Sequence, residues 1–295
     1  MTSNPPLTCD ALLQWAAARI AGDSPRLDAE LLLSHLTGLS RTHFRAWPER
    51  TMTPAQAEAF GALVAERAAG TPVAYLLGHQ EFWSLPLRVS RSTLIPRPDT
   101  ECLVEAALAL PLPGDARVLD LGTGTGAIAL ALASEQPGWQ ITACDCVDEA
   151  VALARHNAGA LGLRVEVVAS TWFSGLAPAR YDLIVSNPPY IASGDGHLNE
   201  GDVRFEPASA LVSGRDGLDD LRQIVAQAPG WLGAGGWLLV EHGYDQARAV
   251  AALFCQRGFS GVRSLQDYGR RDRMTLGQWP ATVSDQQTAG GFDAQ

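Results

Sequence analysis

The sequence predicts a doubly wound α/β domain that follows a small bundle of helices. Three observations support this prediction. Apolar runs typical of buried strands alternate with helical patterns from residue 116 onwards. A glycine-rich loop at 122–126 follows the first of these runs, and the apolar run at 182–186 stops at an Asn-Pro-Pro-Tyr sequence, 187–190. Both lie where open α/β sheets bind ligands, at the carboxyl ends of parallel strands.

The composition is that of a globular chain with one or two domains. Of its 295 residues, 46% are hydrophobic and 18% are charged. The formal net charge of −10 argues against a general electrostatic footprint for nucleic acid. The five cysteines lack Cys-x-x-Cys spacing, which favours reduced thiols and no metal site. Without a signal-peptide pattern or a long apolar run, the sequence predicts a cytoplasmic protein with no membrane span.

Residues 1–72 are predicted to form a helical domain. Apolar residues recur at helical spacing over 12–20 and over 27–36. Thr-Pro at 53–54 begins a third helix with proline at its first position. Because no catalytic cluster accompanies these helices, we expect the domain to recognise a partner or to cover the larger domain.

Residues 73–98 are predicted to form a β-hairpin linker. The segments 81–83 and 85–89 alternate in polarity like two short strands around a turn. The proline-rich segment 94–99 follows as a stiff stretch without helix. Arg97 and the aromatic pair of the first strand, Phe82 and Trp83, are candidates to line a substrate entrance.

The larger domain, 99–279, is predicted to contain a sheet of seven strands with helices between them. The predicted strands are 118–121, 141–145, 165–168, 182–186, 237–241, 262–265 and 273–276. The predicted helices are 101–110, 127–134, 149–161, 218–232 and 247–257. The last two strands are close in sequence and are expected to form an antiparallel edge on a mostly parallel sheet. The polar, aperiodic segment 280–295 is predicted to be a disordered tail.

The glycine loop predicts a binding site for a nucleotide-like cofactor. Glycines let the backbone turn tightly and approach a ligand, and the following helix N-terminus offers free N–H groups. The Gly-x-Gly-x-x-Ala pattern at 122–127, with Asp145 near the usual place of a ribose-binding acid, also fits a dinucleotide enzyme. An oxidoreductase is therefore a rival at this point. Two residues weigh against it: Asp120, placed to face a cationic ligand group, and Asn187, which has no obvious part in hydride transfer.

Several separated motifs resemble one enzyme family. Asp-x-Gly-x-Gly-x-Gly at 120–126 resembles the adenosylmethionine loop of class I methyltransferases, and Asn-Pro-Pro-Tyr resembles the signature of enzymes that methylate planar nitrogens. The motifs that resemble the protein-(glutamine-N5) methyltransferases of peptide chain release factors are Glu81–Trp83, Leu94–Glu101, Gly201–Pro207 and Glu241–Gly243. The resemblance runs to about residue 277. It implies a Rossmann-like fold, S-adenosylmethionine as cofactor, and the Gly-Gly-Gln glutamine of bacterial class 1 release factors as substrate.

The chemistry that the resemblance implies depends on positioning. An amide nitrogen is a poor nucleophile because its lone pair is delocalised, so it must be held in line with the methyl group. The side-chain oxygen of Asn187 and the backbone carbonyl of Pro188 are expected to accept the two N–H bonds of the target amide. As the nitrogen becomes positive, these acceptors interact with it more strongly. Pro189 and Tyr190 are expected to pack against the flat substrate group.

The resemblance also implies a set of cofactor-binding residues. Asp145 is expected to bind the ribose hydroxyls, and Trp172 to pack on the adenine side. Thr171 stands where such enzymes usually carry an acid, and threonine is a weaker acceptor. Ser170 and a backbone carbonyl are the alternatives for the contact to the adenine amino group, which stays unassigned. The expected cofactor-binding residues are Gly122, Thr123, Gly124, Thr125, Gly126, Asp145, Trp172 and Asn187.

Other functions remain open at the level of sequence. The same chemistry on a glutamine of a ribosomal protein is a close rival. Adenine-N6 methylation of nucleic acid shares the Asn-Pro-Pro-Tyr site but predicts a basic face and salt-sensitive binding. A binding module that keeps the cofactor only for structure is a third alternative. The favoured expectation is a monomer that acts on class 1 release factors without requiring nucleic acid.

Overall fold

The computed structural model describes residues 7–281, and the chain falls into two compact units. Among the described residues, the helical unit comprises 7–80, Val89–Arg91 and Gly196–Glu206. The sheet unit comprises Glu81–Arg88, Ser92–Asp195 and 207–281. The tail predicted at 280–295 lies outside the described residues, apart from its first two positions.

The helical unit is built around its own apolar core. Its helices are α1 (Cys9–Ala17), α2 (Pro25–Thr37), α3 (Arg41–Ala46), α4 (Pro54–Ala68) and α5 (Val73–Leu77). Leu12, Leu33 and Phe60, from α1, α2 and α4, are fully buried in one cluster. The three predicted helices are confirmed. The short helices α3 and α5 were not predicted, because five or six residues are too few to show a helical period, and α5 occupies the start of the predicted linker.

The segment Gly196–Glu206 belongs to the helical unit although it lies far along the chain. Arg67 of α4 donates from Nη1 to Asp202 Oδ1 at 2.8 Å and from Nε to Asp28 Oδ2 at 2.7 Å. Arg204 donates from Nη2 to the carbonyl of Ala69 at 3.2 Å. Because the guanidinium of Arg67 is mostly buried, these bonds fix the segment to the end of α4.

The sheet unit contains a seven-stranded sheet within the described residues, in the order β5-β4-β3-β6-β7-β9-β8. A separate two-stranded sheet is formed by β1 (His79–Phe82) and β2 (Leu85–Arg88). The strands of the large sheet are β3 (Arg117–Leu121), β4 (Gln140–Asp145), β5 (Val165–Ala169), β6 (Tyr181–Ser186), β7 (Leu232–Glu241), β8 (Ser260–Gln266) and β9 (Asp272–Gln278). Strands β3 to β7 pair in parallel and β9 pairs antiparallel to both neighbours, which confirms the predicted fold class.

Helices cover both faces of the large sheet. They are α6 (Glu101–Leu108), α7 (Ala127–Glu135), α8 (Asp148–Leu161), α9 (Asp219–Gln227) and α10 (Ala247–Arg257). In β6, Leu183 and Val185 pack into one apolar cluster and Ile184 into the other, and all three are fully buried. A strand buried on both sides explains the continuous apolar run that the sequence shows there. None of the described helices is long and apolar enough to span a membrane.

One predicted helix was too long. The helix expected over 218–232 ends at Gln227, and a turn of 3₁₀ helix, Ala228–Gly230, follows it. Pro229 lacks a backbone N–H and cannot continue an α-helix, which accounts for the stop. Strand β7 begins at Leu232 instead of residue 237, because the glycines that follow Leu232 have no side chains to show an alternating pattern.

Candidate active site

Three neighbouring strands end at the same level of the sheet. In the observed register, Leu121 of β3 pairs with Cys144 of β4 and with Ser186 of β6. The Ser186 hydroxyl donates to the carbonyl of Leu121 at 2.8 Å, a buried bond that links the two strand ends. Parallel pairing therefore places the next residue of each strand side by side. These next residues are Gly122, Asp145 and Asn187.

A cavity of ≈ 230 Å³ lies at this edge of the sheet. Eight of the expected site residues line it: Gly122, Thr123, Gly124, Thr125, Asp145, Trp172, Asn187 and Pro189. Gly126, Pro188 and Tyr190 lie outside its lining. Gly126 instead occupies the N-cap position of α7, and Pro188 is buried. The structure thus brings most of the expected residues around one space and places three behind it.

The glycine loop has a backbone that side chains rarely permit. Gly122, Gly124 and Gly126 have positive φ angles of 71°, 55° and 87°. A Cβ atom on Gly122 would lie 3.3 Å from a ring carbon of Trp172, tighter than most such contacts. The loop and the indole ring therefore face each other closely, and the absence of side chains keeps the space between them open.

Asp145 holds the glycine loop and also borders the cavity. Its Oδ2 accepts from the backbone N–H of Gly124 at 2.9 Å, and its Oδ1 accepts from that of Val147 at 3.0 Å. A carboxylate oxygen has two acceptor positions, so these bonds leave capacity for a ligand hydroxyl. The expected role of Asp145 as a ribose acceptor fits this geometry.

The turn after β5 shapes the other side of the cavity. The Ser170 hydroxyl donates to the carbonyl of Trp172 at 2.8 Å and accepts from the N–H of Gly175 at 2.9 Å. Ser170 is therefore committed to holding the turn, where Trp172 has a positive φ of 51°. Thr171 and Asp220 also line the cavity. Asp220 was not identified from the sequence, because it follows a long irregular loop.

Asp120 lies beneath the glycine loop and not in the lining of the cavity. It is fully buried, and its Oδ2 accepts from the Thr123 hydroxyl at 2.6 Å. Burial raises the pKa of Asp120 to about 7. The sequence placed this carboxyl opposite a cationic ligand group, whereas the structure gives it the role of bracing the loop.

Because the pKa of Asp120 is raised in the folded state, we expect the folding stability to depend on pH. A carboxyl whose pKa is higher in the folded state stabilises the fold below its unfolded pKa, and this contribution is lost as pH rises through the folded value. We expect the free energy of unfolding of wild type, relative to Asp120→Asn, to fall by on the order of a few kcal/mol between about pH 4 and about pH 7. Urea unfolding of both proteins at each pH measures this difference. A difference that is constant with pH would contradict the burial argument.

Asn187 is held by Thr100, another residue of the cavity wall. Its Nδ2 donates to Oγ1 of Thr100 at 3.2 Å, and Thr100 is 4% exposed. The oxygen and nitrogen of a planar amide point in different directions, so this bond directs the Asn187 oxygen away from Thr100. Asn187 lines the cavity, where its oxygen can accept a hydrogen bond.

Tyr190 contacts a buried carboxyl instead of the cavity. Its hydroxyl donates to Glu241 Oε1 at 3.3 Å. Burial raises the pKa of Glu241 to about 7, although hydrogen bonds from Thr100 and Tyr190 and the charge of Arg273 act in the opposite direction. Burial and the neighbouring carboxyl also raise the pKa of Tyr190. Thr100 and Glu241 lie in motifs that carry the family resemblance, but the sequence did not predict a role for either residue.

The hairpin supplies part of the cavity wall. Phe82 and Arg97 line the cavity, as expected of a substrate entrance. Trp83 is outside the lining: its backbone N–H donates to Glu101 Oε1 at 2.8 Å and its indole Nε1 to Glu135 Oε1 at 2.7 Å. Trp83 thus anchors the hairpin to α6 and α7. Among residues 7–281, no three His, Cys, Asp or Glu side chains are arranged to hold a metal ion.

Two family models match the chain. Residues 11–78 match the PrmC N-terminal domain, and residues 99–211 match the methyltransferase small domain. The second match includes the glycine loop, Asp145, Trp172 and the Asn-Pro-Pro-Tyr sequence. The two matched regions are consistent with a helical segment followed by an α/β domain.

Relatives with high identity carry one name. A release factor glutamine methyltransferase of Pseudomonas aeruginosa is 61% identical over 260 residues, which cover 87% of this chain and 94% of the relative. A release factor glutamine methyltransferase of Escherichia coli is 51% identical over 260 residues, which cover 88% of this chain and 94% of that relative. Among solved structures, a methyltransferase from Pyrococcus furiosus aligns with a TM-score of 0.52 at 17% identity, covering 66% of this chain and 89% of that one. At that identity, the structural likeness supports the fold alone.

Proposed function

The chain belongs to the release factor glutamine methyltransferase family, and on that premise we propose that it methylates class 1 peptide chain release factors. The proposed target is the N5 nitrogen of the glutamine in the Gly-Gly-Gln motif, and the proposed methyl donor is S-adenosylmethionine. One observation carries the proposal: strand register places the glycine loop and Asn187 side by side at a single cavity. Methyl transfer to an amide requires a binding site for the methyl donor and a group that binds the amide, both in the same space.

The residues around the cavity fit the proposed cofactor. When bound, S-adenosylmethionine supplies an electrophilic methyl group on a sulfonium. The Gly122–Gly126 loop offers a backbone that a ligand can approach closely, since a Cβ at Gly122 would crowd Trp172. Asp145 retains acceptor capacity for ribose hydroxyls, and Trp172 offers a ring for packing. Asp220 lines the same cavity and offers a carboxylate acceptor where Thr171 is a weak one.

Asn187 and Pro188 are proposed to position the target amide. The Asn187 oxygen accepts one N–H of the substrate glutamine, and the Pro188 carbonyl accepts the other. With both hydrogens held, the nitrogen lone pair points towards the methyl group. Both acceptors interact more strongly with the nitrogen as it becomes positive, so they stabilise the transition state more than the ground state. Pro189 in the cavity wall packs against the flat amide, and Tyr190 supports this group from behind.

The helical segment 1–72 is proposed to recognise the release factor, with 73–98 as the linker and 99–279 as the catalytic domain. The match of residues 11–78 to the PrmC N-terminal domain supports this division. Within the helical unit, Trp47 is 52% exposed, and an exposed large aromatic side chain is a frequent anchor in protein interfaces. The net charge of −10 supports a protein partner over nucleic acid.

A competition of substrates tests the proposed function. We expect the purified protein to transfer labelled methyl from S-adenosylmethionine to a class 1 release factor, and to leave ribosomal proteins and an adenine-containing oligonucleotide unlabelled. A release factor with glutamine replaced by alanine in its Gly-Gly-Gln motif is the matched control and should also stay unlabelled. Label on ribosomal protein alone, or on the oligonucleotide with strong salt dependence, would overturn the proposed substrate.

A further inference from the structure

A chain of polar groups connects Asn187, through Thr100 in the cavity wall, to the buried Glu241. Asn187 Nδ2 donates to Thr100 Oγ1 at 3.2 Å, and the Thr100 side chain acts on the Glu241 carboxyl as a hydrogen-bond donor that lowers its pKa. Tyr190 adds a second hydrogen bond to Glu241 Oε1 at 3.3 Å. Glu241 is 2% exposed at the end of β7, level with the end of β6 that precedes Asn187. Neither Thr100 nor Glu241 was expected to serve the reaction.

The direction of these hydrogen bonds follows from the number of hydrogens available. A threonine hydroxyl has one hydrogen and two lone pairs, and an ionised carboxylate has only acceptors. The hydrogen of Thr100 therefore points to Glu241, and a lone pair of Thr100 points to Asn187. A lone pair accepts from the NH₂ end of an amide and repels the oxygen end. The carboxylate thus selects, through Thr100, which way the amide of Asn187 is turned.

We propose that Glu241 and Thr100 are positioning residues, which fix the Asn187 side chain with its oxygen towards the target glutamine. The inference rests on the proposed function, because it takes the Asn187 oxygen as the acceptor for the substrate N–H. An amide turned by 180° would present NH₂ to the substrate nitrogen, and two donors cannot form a hydrogen bond. Thr100 and Glu241 act through Asn187.

The protonation of Glu241 gives the network a pH dependence. Groups that face Glu241 are the Tyr190 hydroxyl, the positive Arg273 and the negative Asp99. Arg273 is itself bonded to Asp267 at 3.2 Å. Burial raises the pKa of Glu241 to about 7. Below that pH the carboxyl carries a hydrogen of its own, and it can then donate to Thr100 and reverse the bond. The methylation rate is expected to fall as pH falls through this range.

A matched pair of variants at Thr100 tests the proposal. Thr100→Val keeps the shape and removes the hydroxyl, whereas Thr100→Ser keeps the hydroxyl and removes a methyl group. We expect Thr100→Val to lower kcat by about tenfold to a hundredfold, because a misdirected acceptor loses alignment. Thr100→Ser should stay within about threefold of wild type. The Kd for S-adenosylmethionine, measured by calorimetry, and the KM for release factor should change little in both.

Glu241→Gln tests the other end of the network with nearly unchanged volume. We expect its kcat to fall by about tenfold and its rate to lose the wild-type decline below about pH 7, since glutamine does not titrate. If Thr100→Val fails to fold, Glu241→Gln still tests whether the network positions Asn187. Equal kcat values for wild type, Thr100→Val and Glu241→Gln would overturn the inference. Equal losses in Thr100→Val and Thr100→Ser would also overturn it, because they would indicate packing.

The wild-type control separates the two proposals. If wild type does not methylate the release factor, the proposed function fails, and this inference fails with it. If wild type methylates the release factor and the Thr100 and Glu241 variants do so equally well, the inference alone fails. The Kd for S-adenosylmethionine identifies any variant whose cavity has changed, independently of the methylation assay.

Discussion

Asn187→Ala is expected to lower kcat for release factor methylation by about a hundredfold to a thousandfold, the loss typical of removing one preorganised transition-state contact. The substitution removes the acceptor for one substrate N–H, and it leaves Thr100 without its hydrogen-bond donor. The target amide is then held by the Pro188 carbonyl alone, and alignment of its lone pair with the methyl group is lost. Steady-state methylation of a purified release factor measures the effect.

The S-adenosylmethionine affinity should survive this change. The bonds that hold the glycine loop, from Gly124 to Asp145 and from Thr123 to Asp120, do not involve Asn187. We expect the Kd to change by less than about threefold. Gln140→Ala is a matched control, because Gln140 is an exposed amide at the start of β4, at the opposite edge of the sheet from the cavity. An Asn187→Ala protein with wild-type kcat, or one as active as Gln140→Ala, would contradict the role of Asn187.

Gly124→Ala is expected to weaken S-adenosylmethionine binding by more than about tenfold. Gly124 has a φ of 55°, a conformation that costs an L-residue about 1–2 kcal/mol. Within residues 7–281, a Cβ there meets only Thr93, at 3.9 Å, so the added methyl group enters the cavity that Gly124 lines. Calorimetric titration of S-adenosylmethionine gives the affinity, and thermal unfolding gives the stability.

Gly162→Ala is the control for Gly124→Ala. It separates the effect of backbone strain from the effect of filling the cavity. Gly162 caps α8 with a φ of 65°, and a Cβ there has no atom of the described part of the chain within 4 Å. The two variants should lose similar stability, since both force alanine into the left-handed region. Only Gly124→Ala should lose affinity. If both variants bind the cofactor as wild type does, the glycine loop is not the binding site.

Local patterns predicted most of the fold, because each strand and helix leaves its signature in consecutive residues. The buried strand before Asn187 is apolar at every position from Leu183 to Val185, and the capping box of α4 begins at Thr53. Helices α3 and α5 were missed because they are too short for a period. The start of β7 was missed because glycines carry no polarity pattern.

The sequence predicted most of the residues that line the cavity. It did not predict the contacts that support them. Gly122 and Asn187 each follow a predicted strand and Asp145 ends one, so parallel pairing alone implies that they meet. The contact between Thr100 and Glu241 joins residues far apart in sequence, and no spacing rule connects them. Tyr190 was expected to face the substrate, but whether a side chain lines a cavity or a core depends on tertiary packing that a motif does not encode.

The most direct test of the proposed function is tandem mass spectrometry of a release factor after reaction with S-adenosylmethionine and the purified protein. We expect one added methyl group, located on the glutamine side chain of the Gly-Gly-Gln peptide, and its absence when Asn187→Ala replaces wild type. A methyl group on any other residue of the release factor, or an unmodified Gly-Gly-Gln peptide after full reaction with wild type, would contradict it.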